Sequence, residues 1–224
     1  MILLLSALAP VATIIIYIYV KDLYEKESKR MLAYAFLLGG IVSIIITTLL
    51  YLIFDYILPS PDNSNIWQQF VKAFFTVALI EEFSKYVMVW GFLQPKTWFN
   101  EPFDGIVYAV MVSMGFAAVE NVMYVLQGGM DVALVRAFSA VPAHATFGII
   151  MGFFMGKAKF SKNRIMWNFT GLMSAILFHG AYDFFLFINF IPGISTGAFI
   201  SLIIGIILSK RAIKLHQDNS HFKT

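Results

Sequence analysis

Seven ionisable residues stand in stretches that are otherwise apolar: Glu81, Glu82, Lys85, Glu120, His144, His179 and Asp183. On a helix, Lys85 lies three and four residues beyond Glu82 and Glu81, so its ammonium can reach both carboxylates. His179 and Asp183 are four residues apart, which lets the carboxylate accept from one ring nitrogen and fix the tautomer of the other. Adjacent helical residues diverge by roughly 100°, so only one of Glu81 and Glu82 is expected to point straight at a common centre. Four carboxylates, one lysine and two histidines in a low-dielectric layer have the parts for general-base activation of a water, with imidazole donating to a developing oxyanion. Three other chemistries use the same residue types. Glu120, His144 and His179 are a donor set for hydrolytic zinc, a chain of Asp, Glu and His can relay protons in a transporter, and buried polar groups can serve as interhelical glue.

The elements that must carry these residues are membrane spans. The chain has 224 residues, 59% hydrophobic and 13% charged, with a mean hydropathy of +0.78; about 25% charged is usual for soluble domains. That composition excludes a soluble cytosolic enzyme, a nucleic-acid-binding domain and a secreted scaffold. With no cysteine, disulfides, thiolate metal sites and a cysteine nucleophile are excluded too. Apolar runs predict an all-α, polytopic membrane bundle of seven helices forming a single domain, at about 2–20, 31–58, 72–93, 105–126, 136–156, 165–188 and 196–209. The first run has no charge before Lys21 and reads as a retained helix rather than a signal peptide. Turn-rich loops, Pro59-Ser60-Pro61-Asp62-Asn63 and Ile191-Pro192-Gly193 among them, separate the runs.

Numbering the loops alternately puts thirteen Lys and Arg residues on one side, against Lys72 and Arg136 at helix edges on the other. The asymmetry predicts an external N-terminus and a cytoplasmic C-terminus, with Lys72 and Arg136 as interfacial snorkelling residues. Trp67, Trp90, Trp98 and Trp167 fall near span ends, and the polar run from His216 to Thr224 reads as a frayed tail.

Counted at about 1.5 Å per residue from the outer span ends, Glu81, Glu120, His144 and His179 share a depth of roughly 9 to 14 Å. A charge at the bilayer centre costs about 2.5 to 3.5 kcal/mol, so a shared layer from four helices points to function. Small residues recur every fourth position in Gly105, Ala109, Ser113, Ala117, Asn121 and in Ala140, His144, Gly148, Gly152, Gly156. Gly171, Ala175, His179, Asp183 and Gly197, Ser201, Gly205, Ser209 repeat the pattern. Helices approach closely along such stripes, which carries both histidines inward.

Four motifs in order, Glu81-Glu82-Phe83-Ser84-Lys85, Phe116-Ala117-Ala118-Val119-Glu120-Asn121, His144-Ala145-Thr146-Phe147-Gly148 and His179-Gly180-Ala181-Tyr182-Asp183, closely resemble the PrsW family of bacterial intramembrane proteases. Ala9-Pro10, the run from Tyr17 to Glu25 and Asp104-Gly105-Ile106-Val107-Tyr108 look like the same family, so the resemblance runs from near residue 9 to at least Asp183. It implies a site-1 protease of the bacterial cell membrane that cuts a single-span, membrane-anchored anti-sigma factor on its extracytoplasmic side. The wider clan includes the CAAX-processing and bacteriocin-immunity type membrane proteases, thought to use a glutamate-activated water. There the first motif usually ends in Arg one residue later, the second in His and the last in Asn, where this chain has Lys85, Glu120 and Asp183. An ionised Asp183 has no proton to donate to an oxyanion.

The resulting expectation assigns Glu81 as general base, with Glu82 and Lys85 holding it ionised and placed. Glu120 and His144 bind the same water, His179 oriented by Asp183 donates to the carbonyl oxygen, and Asn121 is a second donor. This reading needs no cofactor, with zinc on Glu120, His144 and His179 as its alternative.

Overall fold

A computed structural model describes residues 1–58 and 61–223; Pro59 and Ser60 of the expected turn lie outside the described residues. Every regular element among the described residues is helical, as lipid requires of a chain that must satisfy its backbone groups internally. Among the described residues the helical elements run in seven stretches. Helix α1 is Ile2–Lys21, α2 is Lys29–Ile57, α3 covers residues 66–93, α4 is Pro102–Phe138, α5 is Ala140–Lys159, α6 is Arg164–Phe187 and α7 is Thr196–Asp218. The stretches Ile2–Lys21, Lys29–Ile57, Pro102–Lys159 and Arg164–Phe187 are long and apolar enough to cross a membrane.

Local chemistry explains the helix starts. The Ser28 hydroxyl accepts from the Met31 N–H at the head of α2, and the Asn65 side chain accepts from the Trp67 and Gln68 N–H groups at the head of α3. Glu101 and Asp104 form a reciprocal capping box before α4, with Pro102 at its first position. In α3, π-helical turns at Lys72–Ala78 and Met88–Leu93 flank the regular stretch Leu79–Val87 that carries Glu81, Glu82 and Lys85. Such turns shift a helix's facing register and concentrate at functional sites.

Two expectations need correction. Helix α4 does not stop at Leu126: it continues to a reversal at Gly129 (φ 74°, ψ −158°), and the chain then folds back on itself. Arg136 Nη2 lies 2.9 Å from Glu120 Oε2, whereas a straight helix would set residues sixteen apart at about 24 Å. Arg136 therefore heads no span and does not snorkel. It is carried inward, its guanidinium 4.2 Å from the Tyr124 ring centroid, because positive φ at Gly129 turns the chain where other residues resist it. The tail is not frayed either. Buried His216 donates from Nε2 to the Phe153 carbonyl at 2.8 Å, and buried Ser220 bonds Glu101.

Helix α4 forms the centre, buried on every side from Pro102 to Ala118. Its small-residue stripe meets that of α5, as Gly105 lies against Gly152 and Gly156, and Ser113 Oγ donates to the His144 carbonyl at 2.7 Å. A side chain on Gly105 would collide with backbone atoms of both α5 glycines, which cannot yield as a side chain does. Gly105→Leu is therefore expected to separate α4 from α5 and remove the protein from the membrane fraction, whereas Gly91→Ala, facing open space, should leave abundance unchanged. Quantitative immunoblotting of the two variants checks this; normal levels of Gly105→Leu would show that the close approach is dispensable.

Candidate active site

The regular segment of α3 presents Glu81, Glu82 and Lys85 to one centre, all three buried. Lys85 Nζ stands between the carboxylates, 2.7 Å from Glu82 Oε1 and 3.4 Å from Glu81 Oε2. It also donates to His144 Nδ1 at 3.3 Å and lies 4.1 Å from the Phe116 ring centroid. Both glutamates thus reach a common point despite their angular divergence, because the lysine that joins them lies one turn on, midway between their directions. Glu82, wholly inaccessible, accepts through Oε1 from Lys85 and from His179 Nδ1 at 2.9 Å; its second oxygen is buried without a partner. Glu81 is 6% exposed and accepts from the Tyr51 hydroxyl of α2 at 2.9 Å.

Around this centre the two histidines are held alike. His144 turns Nδ1 toward Lys85, which leaves its proton on Nε2 to donate to Glu120 Oε2 at 2.8 Å. His179 turns Nδ1 toward Glu82, and its Nε2 lies 3.3 Å from Asp183 Oδ2. Each ring therefore has a carboxylate behind it, the arrangement that fixes imidazole orientation. Phe147 stacks on His179 with centroids 4.8 Å apart, and the two imidazoles meet edge to face at 5.5 Å. Beside Glu81, the Ser43 and Thr47 hydroxyls both donate to Ser84 Oγ, and Ser84 donates to the Glu81 carbonyl, tying α2 to α3 at this level.

The fold brings together Glu81, Glu82, Lys85, Glu120, His144, His179 and Asp183 from α3, α4, α5 and α6. Asn121 belongs to the surroundings rather than to the centre. Its Nδ2 donates to the Ala7 carbonyl at 2.7 Å and its Oδ1 accepts from Arg136 Nε at 2.7 Å, so both ends of the amide are held by α1 and by Arg136. It positions Arg136 against Glu120. Two members were not legible in the residue pattern. Tyr51 has no motif around it, and Arg136 sits past a Gly128-Gly129 pair that is a turn signal but does not tell where the turn leads.

The alternative metal set changes as well. Glu120 is engaged on the far ring nitrogen of His144, so Glu120, His144 and His179 do not converge on one point. The residues that do are Glu81, Glu82, His144 and His179, each offering one donor atom, all within 4.8 Å of one another. Two imidazoles, two carboxylates, carboxylates behind both rings and a partnerless Glu82 oxygen suit a divalent metal; in the arrangement described here the cation among these donors is the Lys85 ammonium.

Residues 27–209 match the model of a family described as PrsW family intramembrane metalloprotease. Among curated proteins, the chain is 37% identical over 183 residues to a protein named Protease PrsW from Geobacillus kaustophilus, covering 81% of this chain and 78% of the relative. It is 36% identical over 184 residues to Protease PrsW of Bacillus subtilis, covering 81% of each, and 33% identical over 195 residues to that of Clostridioides difficile, covering 84% and 80%. No solved structure matches. With the family model spanning most of the chain and these relatives covered over about four fifths of their length, this chain is a membrane protease and belongs to the PrsW family.

Proposed function

We propose that the protein hydrolyses a peptide bond in a single-span membrane protein near the outer face of a bacterial plasma membrane, by a water activated on Glu81. The observation that carries the reading is the convergence of Glu81, Glu82, His144 and His179 around one buried point. Glu81, the more accessible glutamate, takes the proton of the attacking water. Tyr51 and Lys85 hold its two oxygens, while Glu82 anchors Lys85 and His179 and so stays in place. The His179 Nδ1–H, held by Glu82 before substrate enters, turns to the carbonyl oxygen as charge develops there, with Asp183 behind the ring at Nε2, and the proton taken by Glu81 passes to the leaving amine. Glu120, held by Arg136, orients His144. A divalent metal bound by Glu81, Glu82, His144 and His179 would supply Lewis-acid polarisation and a more acidic water at the same place.

The substrate is an anti-sigma factor, the class the family resemblance implies, and cleavage is the first of a cascade. An open groove of about 860 Å³ between the ends of α2 and α3, lined by Phe54, Asp55, Leu58, Trp67, Val71 and Thr76, offers an extended segment a seat on the two helices that carry Tyr51 and Glu81. Seven helices cross the membrane, with the N-terminus outside. In support, the Lys-rich ends gather on one side, where Gln217 bonds the Lys21 carbonyl and Lys159 those of Gln94 and Lys96.

Purified protein in detergent, incubated with a single-span anti-sigma factor, should release a fragment sized for an extracytoplasmic cut. Loss of that fragment with chelator assigns the metal-assisted form, retention assigns the glutamate form, and no cleavage of any single-span substrate removes the reading. For orientation, a reporter fused after Asn63 should be active outside the cytoplasm and one after Lys162 inside it; the reverse pattern would put the site at the inner face.

A further inference from the structure

A second group of acids lies at the opposite, Lys-rich ends of the helices. Glu25 and Glu27, in the turn between α1 and α2, and Asp104, in the first turn of α4, each offer a carboxylate oxygen within 4.8 Å of the others'. Asp104 is wholly inaccessible and Glu27 is 5% exposed. Each of the two pinned acids here uses one oxygen for the backbone: Asp104 Oδ2 accepts from the Asn100 and Glu101 N–H groups, and neighbouring Asp22 Oδ2 accepts from the Glu27 N–H at 3.0 Å. Their other oxygens, together with Glu25 Oε2 and Glu27 Oε1, are buried with no hydrogen-bond partner.

An acidic cluster alone says little, but Tyr108 adds a separate observation. One turn after Asp104 on the same face of α4, Tyr108 is wholly inaccessible, and its hydroxyl, set toward Glu27, makes no hydrogen bond of ordinary geometry. The contrast with the intramembrane centre is direct. There every carboxylate faces Lys85, Arg136 or a histidine. Here no Lys, Arg or His nitrogen among the described residues lies within 4 Å of Glu25, Glu27 or Asp104; Lys26 instead donates to the Tyr19 and Asp22 carbonyls. Buried, clustered carboxylates need either shared protons or a positive charge, and no cationic side chain among the described residues faces these three.

We infer that Glu25, Glu27 and Asp104, with the Tyr108 hydroxyl, bind one hard divalent cation of the Mg2+, Ca2+ and Mn2+ class. All the donors are oxygens, which suit hard cations rather than zinc. The cation joins the α1–α2 turn to the head of α4, the helix that carries Glu120.

The test uses full-length protein in detergent, stripped with chelator and dialysed, then given MgCl2, CaCl2 or MnCl2 separately. At saturation at least one of these should raise the melting temperature, read from tryptophan fluorescence, by about 5 °C. Electron paramagnetic resonance of bound Mn2+ should show one equivalent that Glu27→Gln loses and His179→Ala keeps, which separates this site from the intramembrane donors. Because Glu27 is buried, half-buried Glu25→Gln provides a second variant that should weaken Mn2+ binding at least tenfold. Melting temperature unmoved by all three cations, or bound Mn2+ unchanged in both Glu25→Gln and Glu27→Gln, overturns the site. So does a Glu27→Gln protein that melts above wild type with no cation-dependent shift in either, since shared protons would then hold the acids together.

Discussion

Glu81→Gln should lower the rate of substrate cleavage by about 10²- to 10⁴-fold, the usual contribution of a positioned general base, while the protein accumulates normally. Glutamine retains the side-chain oxygen that accepts from Tyr51, fills the same volume, and leaves Lys85 its 2.7 Å bond to Glu82. The chemical deficit is therefore separated from any folding deficit. Glu82→Gln is expected to differ, because Glu82 Oε1 is the shared acceptor of Lys85 and His179. Replacing that carboxylate weakens two charge-assisted hydrogen bonds at a fully buried position, so lower abundance should accompany lost activity. Initial rates on a single-span substrate, normalised to protein by immunoblot, distinguish the two. A Glu81→Gln enzyme turning over at the wild-type rate would show that another group takes the proton.

Lys85→Met should cost about 3 to 5 kcal/mol of stability, the range for breaking a buried ion pair from one side, and lower the melting temperature by about 10 °C. Methionine has nearly the same length and lies as well against Phe116, so volume is conserved and the loss is electrostatic. Without the ammonium, Glu81 and Glu82 face each other with no cation between them, and His144 Nδ1 loses its donor. The same variant reports on the metal. A Lys85→Met protein that melts at the wild-type temperature only with added Zn2+ would put a metal in the place of the ammonium. Wild-type melting with or without Zn2+ would show that Lys85 is not the counter-ion of this centre.

Some of this was legible in the residues alone. Apolar run lengths and the absence of charge marked an all-helical membrane chain, because lipid leaves a chain no other way to satisfy its backbone. The pairings within α3 and α6, Lys85 with both glutamates and His179 with Asp183, followed from helical period, a purely local property. The small-residue stripes likewise marked the α4–α5 contact, since only backbone-to-backbone approach favours glycine at every fourth position.

What tertiary structure decided lies between helices. Helical period places a side chain on a face but does not say how far each rod is rotated toward its neighbours. That rotation made Glu82, rather than Glu120, the carboxylate shared with His179, and left Glu120 behind His144. The reversal at Gly129 brought Arg136 sixteen residues back to Glu120 and took up the Asn121 amide, a contact set by a single pair of backbone angles. The gathering of Glu25 and Glu27 with Asp104 likewise depends on where the α1–α2 turn lands against α4. Spacing along one helix is written in the covalent chain; distances across the bundle exist only once close packing has fixed the relative rotation and depth of the helices.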